Sequence, residues 1–137
     1  MGIALAIDYG ERRVGLAHTD PMQMIASPLE TVDRAKALDY IQSYCKQQQV
    51  SVLVMGKAKQ MNGNDSQSAQ GIQSFSDQLK AALPHIPLVF IDERFTSSMA
   101  QQAIVAGGMK KKKRQEKGQL DQVAACIILQ TYLDQSL

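Results

Sequence analysis

Three sites in this 137-residue chain carry acids whose spacing could support chemistry. Asp8 closes the apolar run of residues 3–7, Asp92 and Glu93 follow a second apolar run at residues 88–91, and Asp121 precedes Ala124, Ala125 and Ile128 by three, four and seven positions. Short continuous apolar runs read as strands buried on both faces. If the two strands are parallel, their acids open at one edge of a sheet, where open α/β folds place ligands. The spacing after Asp121 puts it on one helix face with small and apolar residues, which should face the sheet. An acid in that position is costly to bury unless it is paired or bound to metal. Convergent carboxylates with no histidine nearby suit a hard cation, Mg2+ or Mn2+, which prefers oxygen donors. Two such ions about 4 Å apart can activate a water and stabilise the leaving oxygen of a phosphodiester. The chemistry expected is metal-dependent hydrolysis of nucleic acid.

Taken singly, each acid has a plainer reading. A strand-end aspartate is often a turn residue, and Asp121 would also serve as a first-turn acid favoured by the helix dipole. The triple arrangement is more specific than any member. Asp92 and Glu93 cannot both enter one site from a continuing strand, because successive side chains face opposite ways. Periodicity leaves open which of the two faces inward.

The elements that must hold these acids follow from pattern changes along the chain. A strand at residues 3–7 ends at Asp8, Tyr9-Gly10 forms a turn, and residues 13–19 return as a hairpin partner; a short third strand falls at residues 29–32. From Asp33, a suitable N-cap, the period lengthens, with Leu38, Ile41 and Cys45 on one helix face. An apolar strand at residues 51–55 is closed by Gly56, and Asn62-Gly63 signals a turn in the polar stretch that follows. Ile72, Phe75, Leu79 and Leu83 mark a second helix, with Pro84 and Pro87 at its end. A strand at 88–91 leads to a helix capped by Thr96 or Ser97 and stopped by Gly107-Gly108, then a basic loop, then a last helix at 120–133. A β-meander followed by alternating helices and strands implies an α/β mixed sheet with helices on both faces.

Composition sets bounds on this reading. The length fits one domain, residues 1–137, and a hydrophobic fraction of 45% is enough for a core. No run is long enough to span a bilayer, and residues 1–7 lack a basic region followed by a cleavage site, so no membrane partner and a cytoplasmic location are expected. Cys45 and Cys126 fall where a helix buries apolar residues and read as buried thiols, while His18 and His85 are too far apart in sequence to suggest a ligand cluster. The net charge of +2 conceals an asymmetry. Lys110, Lys111, Lys112, Lys113, Arg114 and Lys117 supply six of the 15 basic residues, which leaves nine basic against twelve acidic residues elsewhere once Glu116 is set aside. That segment reads as a mobile arm for a phosphate backbone, with Gly107-Gly108 and Gly118 as hinges and Arg94 as a further phosphate ligand. The absence of Trp and the scarcity of aromatics argue against a stacking platform for bases and favour backbone or shape recognition.

Several of these segments resemble one family in order and spacing. Ala6-Ile7-Asp8-Tyr9-Gly10 with Arg13-Val14-Gly15-Leu16-Ala17 resembles the opening of the YqgF, or RuvX, family. Val54-Met55-Gly56 with Met61-Asn62-Gly63 resembles its glycine-rich loop, residues 92–97 resemble its DER-x-(T/S) segment, and Lys117-Gly118 with Asp121, Ala124-Ala125 and Ile128-Leu129 resembles its terminal helix. The resemblance implies a ribonuclease H-like fold related to Holliday junction resolvases. It also implies a cytoplasmic nuclease that matures the 5′ end of pre-16S ribosomal RNA. The family's acids match Asp8, Glu93 and Asp121, which selects Glu93 over Asp92. Where the family usually has Leu-Pro after the glycine matching Gly56, this chain has Lys57-Ala58, which adds charge and frees the loop. Expected partners are structured RNA, branched DNA and ribosomal precursor particles, met as a monomer or homodimer. The rival readings are a resolvase for branched DNA, which the same acids would serve, and a non-catalytic RNA- or ribosome-binding module. An actin-like kinase or ATPase also places Asp-x-Gly after its first strand, but needs two such domains.

Overall fold

The computed structural model of the chain describes residues 2–10, 12–57, 67–92 and 117–135. Strands β1 (Ile3–Tyr9), β2 (Arg13–Thr19) and β3 (Ala26–Asp33) form a meander, followed by helix α1 (Ala37–Gln47), strand β4 (Val50–Lys57), helix α2 (Gln67–Ala82), strand β5 (Leu88–Asp92) and helix α3 (Lys117–Gln135). The sheet order is β3-β2-β1-β4-β5. β1 pairs antiparallel with β2, and β2 with β3, while β1–β4 and β4–β5 are parallel. The expected mixed sheet is therefore present, and both acid-bearing strands run the same way.

β1 is central, and its continuous apolar composition follows from cover on both faces. Ile3, Leu5 and Ile7 pack with Val14, Leu16, Leu53 and Met55 beneath Ile41 of α1 and Ile72, Phe75 and Leu79 of α2. Ala4 and Ala6 face the other way, with Ala17, Val52, Val54 and Ile91, beneath Ala125, Ile128 and Leu129 of α3. Fully burying a large aliphatic or aromatic side chain stabilises by roughly 1.5–3 kcal/mol, so most of the stabilisation lies on the α1/α2 face. Among the described residues no helix is long and apolar enough to cross a membrane.

Several boundaries differ from expectation for local reasons. β1 runs through Asp8 to Tyr9, because antiparallel pairing continues through Asp8↔Gly15 and Tyr9↔Val14. The hairpin closes when the Gly10 N–H donates to the Arg13 carbonyl at 3.0 Å. β3 is longer than expected, since it pairs with β2 from Ala26 to Asp33. Asp33 caps a 3-10 turn, Arg34–Lys36, without a side-chain hydrogen bond, and α1 begins only after that turn. α3 begins at Lys117, so Lys117 and Gly118 belong to the helix and Gly118 is not a loop hinge. The expected helix capped by Thr96 or Ser97, and the Asn62-Gly63 turn, lie outside the described residues. Cys45 and Cys126 are free and half-buried, not fully enclosed, and burial pushes both thiols up to about 11.

Candidate active site

Asp8 occupies a row of the sheet with little side-chain bulk. The pleat puts it with Ala4 and Ala6 on the α3 face, one step before β1 ends. On one side it opposes Gly15 of β2. On the other, Ile7 pairs with Met55, so the next residue of β4 in the row is the buried Gly56. The half-buried carboxylate thus stands between two glycines, neither of which places a side chain beside it. A glycine inside a strand often marks such a close approach.

The row continues outward to fixed points. Gly15 pairs with Thr31 of β3, and Gly56 pairs with Ile91 of β5. From α3, the Gln122 side-chain amide donates to the Thr31 hydroxyl at 3.0 Å. The first turns of α3 are therefore pinned over the row that contains Asp8. Position 121 immediately precedes this pin and lies one turn before Ala125, which is fully buried against the sheet. The layer of Ala4, Ala6, Ala17 and Ala125 lets the helix come close to the strands.

Along β5, Val89 and Ile91 pack toward α3, whereas Leu88 and Phe90 pack toward α1 and α2. Glu93 and Arg94 lie outside the described residues, as do Lys110, Lys111, Lys112, Lys113 and Arg114. Asp121 and Lys117 are described as helical positions of α3. Among the described residues no three His, Cys, Asp or Glu side chains come together. Of the expected acids, Asp8 has a described side chain, and its setting is a small-residue bay beneath a pinned helix.

Sequence reasoning missed Gly15, Thr31, Gln122 and the role of Gly56 as parts of this bay. The glycines carried a usable signal, since each interrupts an otherwise apolar strand. Gln122 and Thr31 carried none, because their contact joins positions 91 apart in sequence. His18, expected to be no ligand, accordingly packs elsewhere: its Nδ1 lies 2.7 Å from the Tyr44 hydroxyl, and burial lowers its affinity for a proton.

A family model described as "RuvX: Holliday junction resolvase" matches residues 2–135. A protein of Parabacteroides distasonis is 45% identical, covering 98% of this chain and 96% of its own. One from Porphyromonas gingivalis is 46% identical, covering 98% and 97%. Both are named "Putative pre-16S rRNA nuclease". Among solved structures, Thermus thermophilus RuvC in complex with a Holliday junction substrate matches with a TM-score of 0.64 at 13% identity, covering 99% of this chain and 96% of that one. That likeness is one of fold, and it agrees with the ribonuclease H-like architecture of the sheet. With a family model spanning nearly its whole length and relatives at 45% and 46% identity, the chain belongs to the RuvX family.

Proposed function

We propose that residues 1–137 act as one nuclease domain that hydrolyses phosphodiesters at the 5′ end of pre-16S ribosomal RNA, with Asp8, Glu93 and Asp121 as ligands of Mg2+ or Mn2+. The observation that carries this reading is the bay around Asp8: a carboxylate at the carboxyl edge of the sheet, bordered by glycines, beneath the first turns of the helix that contains Asp121. The names of the curated relatives support the substrate. The bay also suits the ion. Gly15 and Gly56 leave space where side chains would otherwise crowd the carboxylate, and carboxylate oxygens are donors that hard cations accept. The odd positions of β5 are those on the Asp8 side, and 93 is the next odd position, which favours Glu93 over Asp92.

The bound ions would supply Lewis acidity and lower the pKa of a water. The chain would contribute three acids on two strands and one helix, held by elements that pack independently of substrate. Arg94 and the run Lys110 to Arg114 would hold the phosphate backbone, with Lys117 at the start of α3 beside them. The partners are then nucleic acid and ribosomal precursor particles, and the location is the cytoplasm. The test is cleavage of precursor ribosomal RNA and of a four-way DNA junction by purified protein with Mg2+ or Mn2+, with Asp8→Asn as control. Cleavage of the RNA alone is the expected result. Cleavage of the junction alone would make the chain a resolvase, and metal binding without cleavage of either would make it a binding module.

A further inference from the structure

A groove of about 720 Å3 opens at the carboxyl end of β1, on the face of the sheet opposite Asp8. Its wall is aromatic: Tyr9 stacks on Phe75 with ring centroids 4.6 Å apart and planes inclined by 25°. Arg34 lies over the Tyr9 ring at 4.8 Å, and its Nε donates to the Tyr9 hydroxyl. Gly71 of α2 makes room for this arrangement. A Cβ there would stand 3.2 Å from an Arg34 terminal nitrogen and 3.4 Å from a Tyr9 ring carbon. The Arg34 backbone N–H donates to the Arg12 carbonyl at 2.9 Å, which ties the second arginine to the same rim. Asp33 and Asp39 complete the lining.

We propose that this groove receives one unpaired nucleotide of the substrate strand, next to the nucleotide whose phosphodiester lies over Asp8. The proposal rests on the reading of the chain as a protein that acts on nucleic acid. The mixture of lining groups selects the ligand. A bare anion gains nothing from two carboxylates, a cation is opposed by two guanidiniums, and an apolar molecule leaves four charges unpaired. A nucleotide offers a flat face to the Tyr9–Phe75 wall, N–H donors to the carboxylates and a phosphate to the arginines. The volume is within the usual range for small-ligand sites, roughly 300–1,000 Å3. In a duplex the base edges are already paired, so the occupant is a splayed base, the usual target of sequence-selective RNA recognition. Guanine fits the rim best, because its N1–H and N2–H together match the two oxygens of one carboxylate. Tyr9 follows Asp8, and consecutive Cα atoms are about 3.8 Å apart with side chains on opposite faces. A strand crossing the sheet edge would meet the carboxylate on one side and the groove on the other.

The test uses Asp8→Asn protein, to hold cleavage back, and fluorescent hexaribonucleotides of A, C, G and U together with an RNA duplex. The G-containing single strand should bind about tenfold tighter than the U-containing one. Arg34→Gln should weaken single-strand binding by about tenfold and leave duplex binding unchanged. Asp39→Asn changes an exposed residue of α1 and should abolish the preference for G while single-strand binding persists. Equal binding of all four oligonucleotides by the Asp8→Asn protein overturns the proposal, as does a G preference that survives Asp39→Asn; the latter decides even if Arg34→Gln does not fold. The parent protein's cleavage assay is read separately. Oligonucleotide selectivity without cleavage leaves the groove standing and removes the nuclease reading, and cleavage without selectivity does the reverse.

Discussion

The two faces of the sheet are built from different residues. Toward α1 and α2, the buried set includes Leu5, Ile7, Leu16, Ile41, Met55 and Leu79, whereas toward α3 it includes Ala4, Ala6, Ala17 and Ala125. Large side chains remove more apolar area from water, so the first face contributes more to holding the fold together. Small side chains forgo some of that stabilisation and allow a closer helix. Asp8 lies on the small face, between two glycines. The contrast separates a face that confers stability from a face that confers function, and substitutions on the two should have separable effects.

The largest expected effect is on chemistry. Asp8→Asn keeps the shape of the side chain but weakens a ligand for a hard cation. Cleavage should fall by orders of magnitude while the thermal midpoint stays level or rises, because repulsion among the acids is relieved. A variant that cleaves as fast as the parent would remove Asp8 from the site. On the large face, Ile41→Ala should cost about 2–5 kcal/mol in denaturant titration, since Ile41 is fully buried. Activity per folded molecule should be unchanged. On the small face, Ala125→Leu should cost about 1–3 kcal/mol by overpacking and, unlike Ile41→Ala, should also lower cleavage by lifting α3 from the Asp8 row. If its folded molecules cleave at the parental rate, close approach of α3 is not what the alanines provide.

Two smaller effects sharpen the contrast. Gln122→Leu removes the bond to Thr31, worth about 1 kcal/mol, and should reduce activity more than so small a loss of stability would suggest. Cleavage rate and denaturation midpoint, measured together, distinguish positioning from stability. On the large face, burial lowers the proton affinity of His18 below the ordinary value of 6.5. The unfolded chain then takes up a proton first as pH falls. This contribution to stability is complete above about 6.5 and is lost as pH falls from there toward the folded value. Comparing melting curves across that window, His18→Gln should show a flatter dependence than the parent.

Much of this contrast was legible in the residues. The 3–7 and 88–91 runs read as buried strands because both faces are covered, and the spacing of Ile72, Phe75 and Leu79 located α2. Asp8 was readable as a candidate ligand because an acid beside an apolar run needs a physical reason. The outer boundaries were not readable: β3 gains its length by pairing with β2, which no local pattern encodes. The groove also runs against a compositional inference. A scarcity of aromatics argued against a platform for bases, yet Tyr9 and Phe75, distant in the chain, meet as a stacked pair. Counts of a residue type carry no information about which members the fold brings together.

The bond between Gln122 and Thr31 has a kinetic consequence. It joins residues 91 apart, whereas the β1–β2–β3 meander closes through short turns. Closing a longer loop costs more entropy, about 0.6 kcal/mol for each doubling of length, and non-local contacts slow folding. The meander and its neighbours can therefore gain order before α3 docks. Until it does, the alanine face is open to solvent and Asp8 has no helix above it. A partly folded chain could already possess its main stabilising half while lacking the arrangement that hydrolysis requires, so catalytic competence would come last in folding and be the first property lost when the final helix detaches.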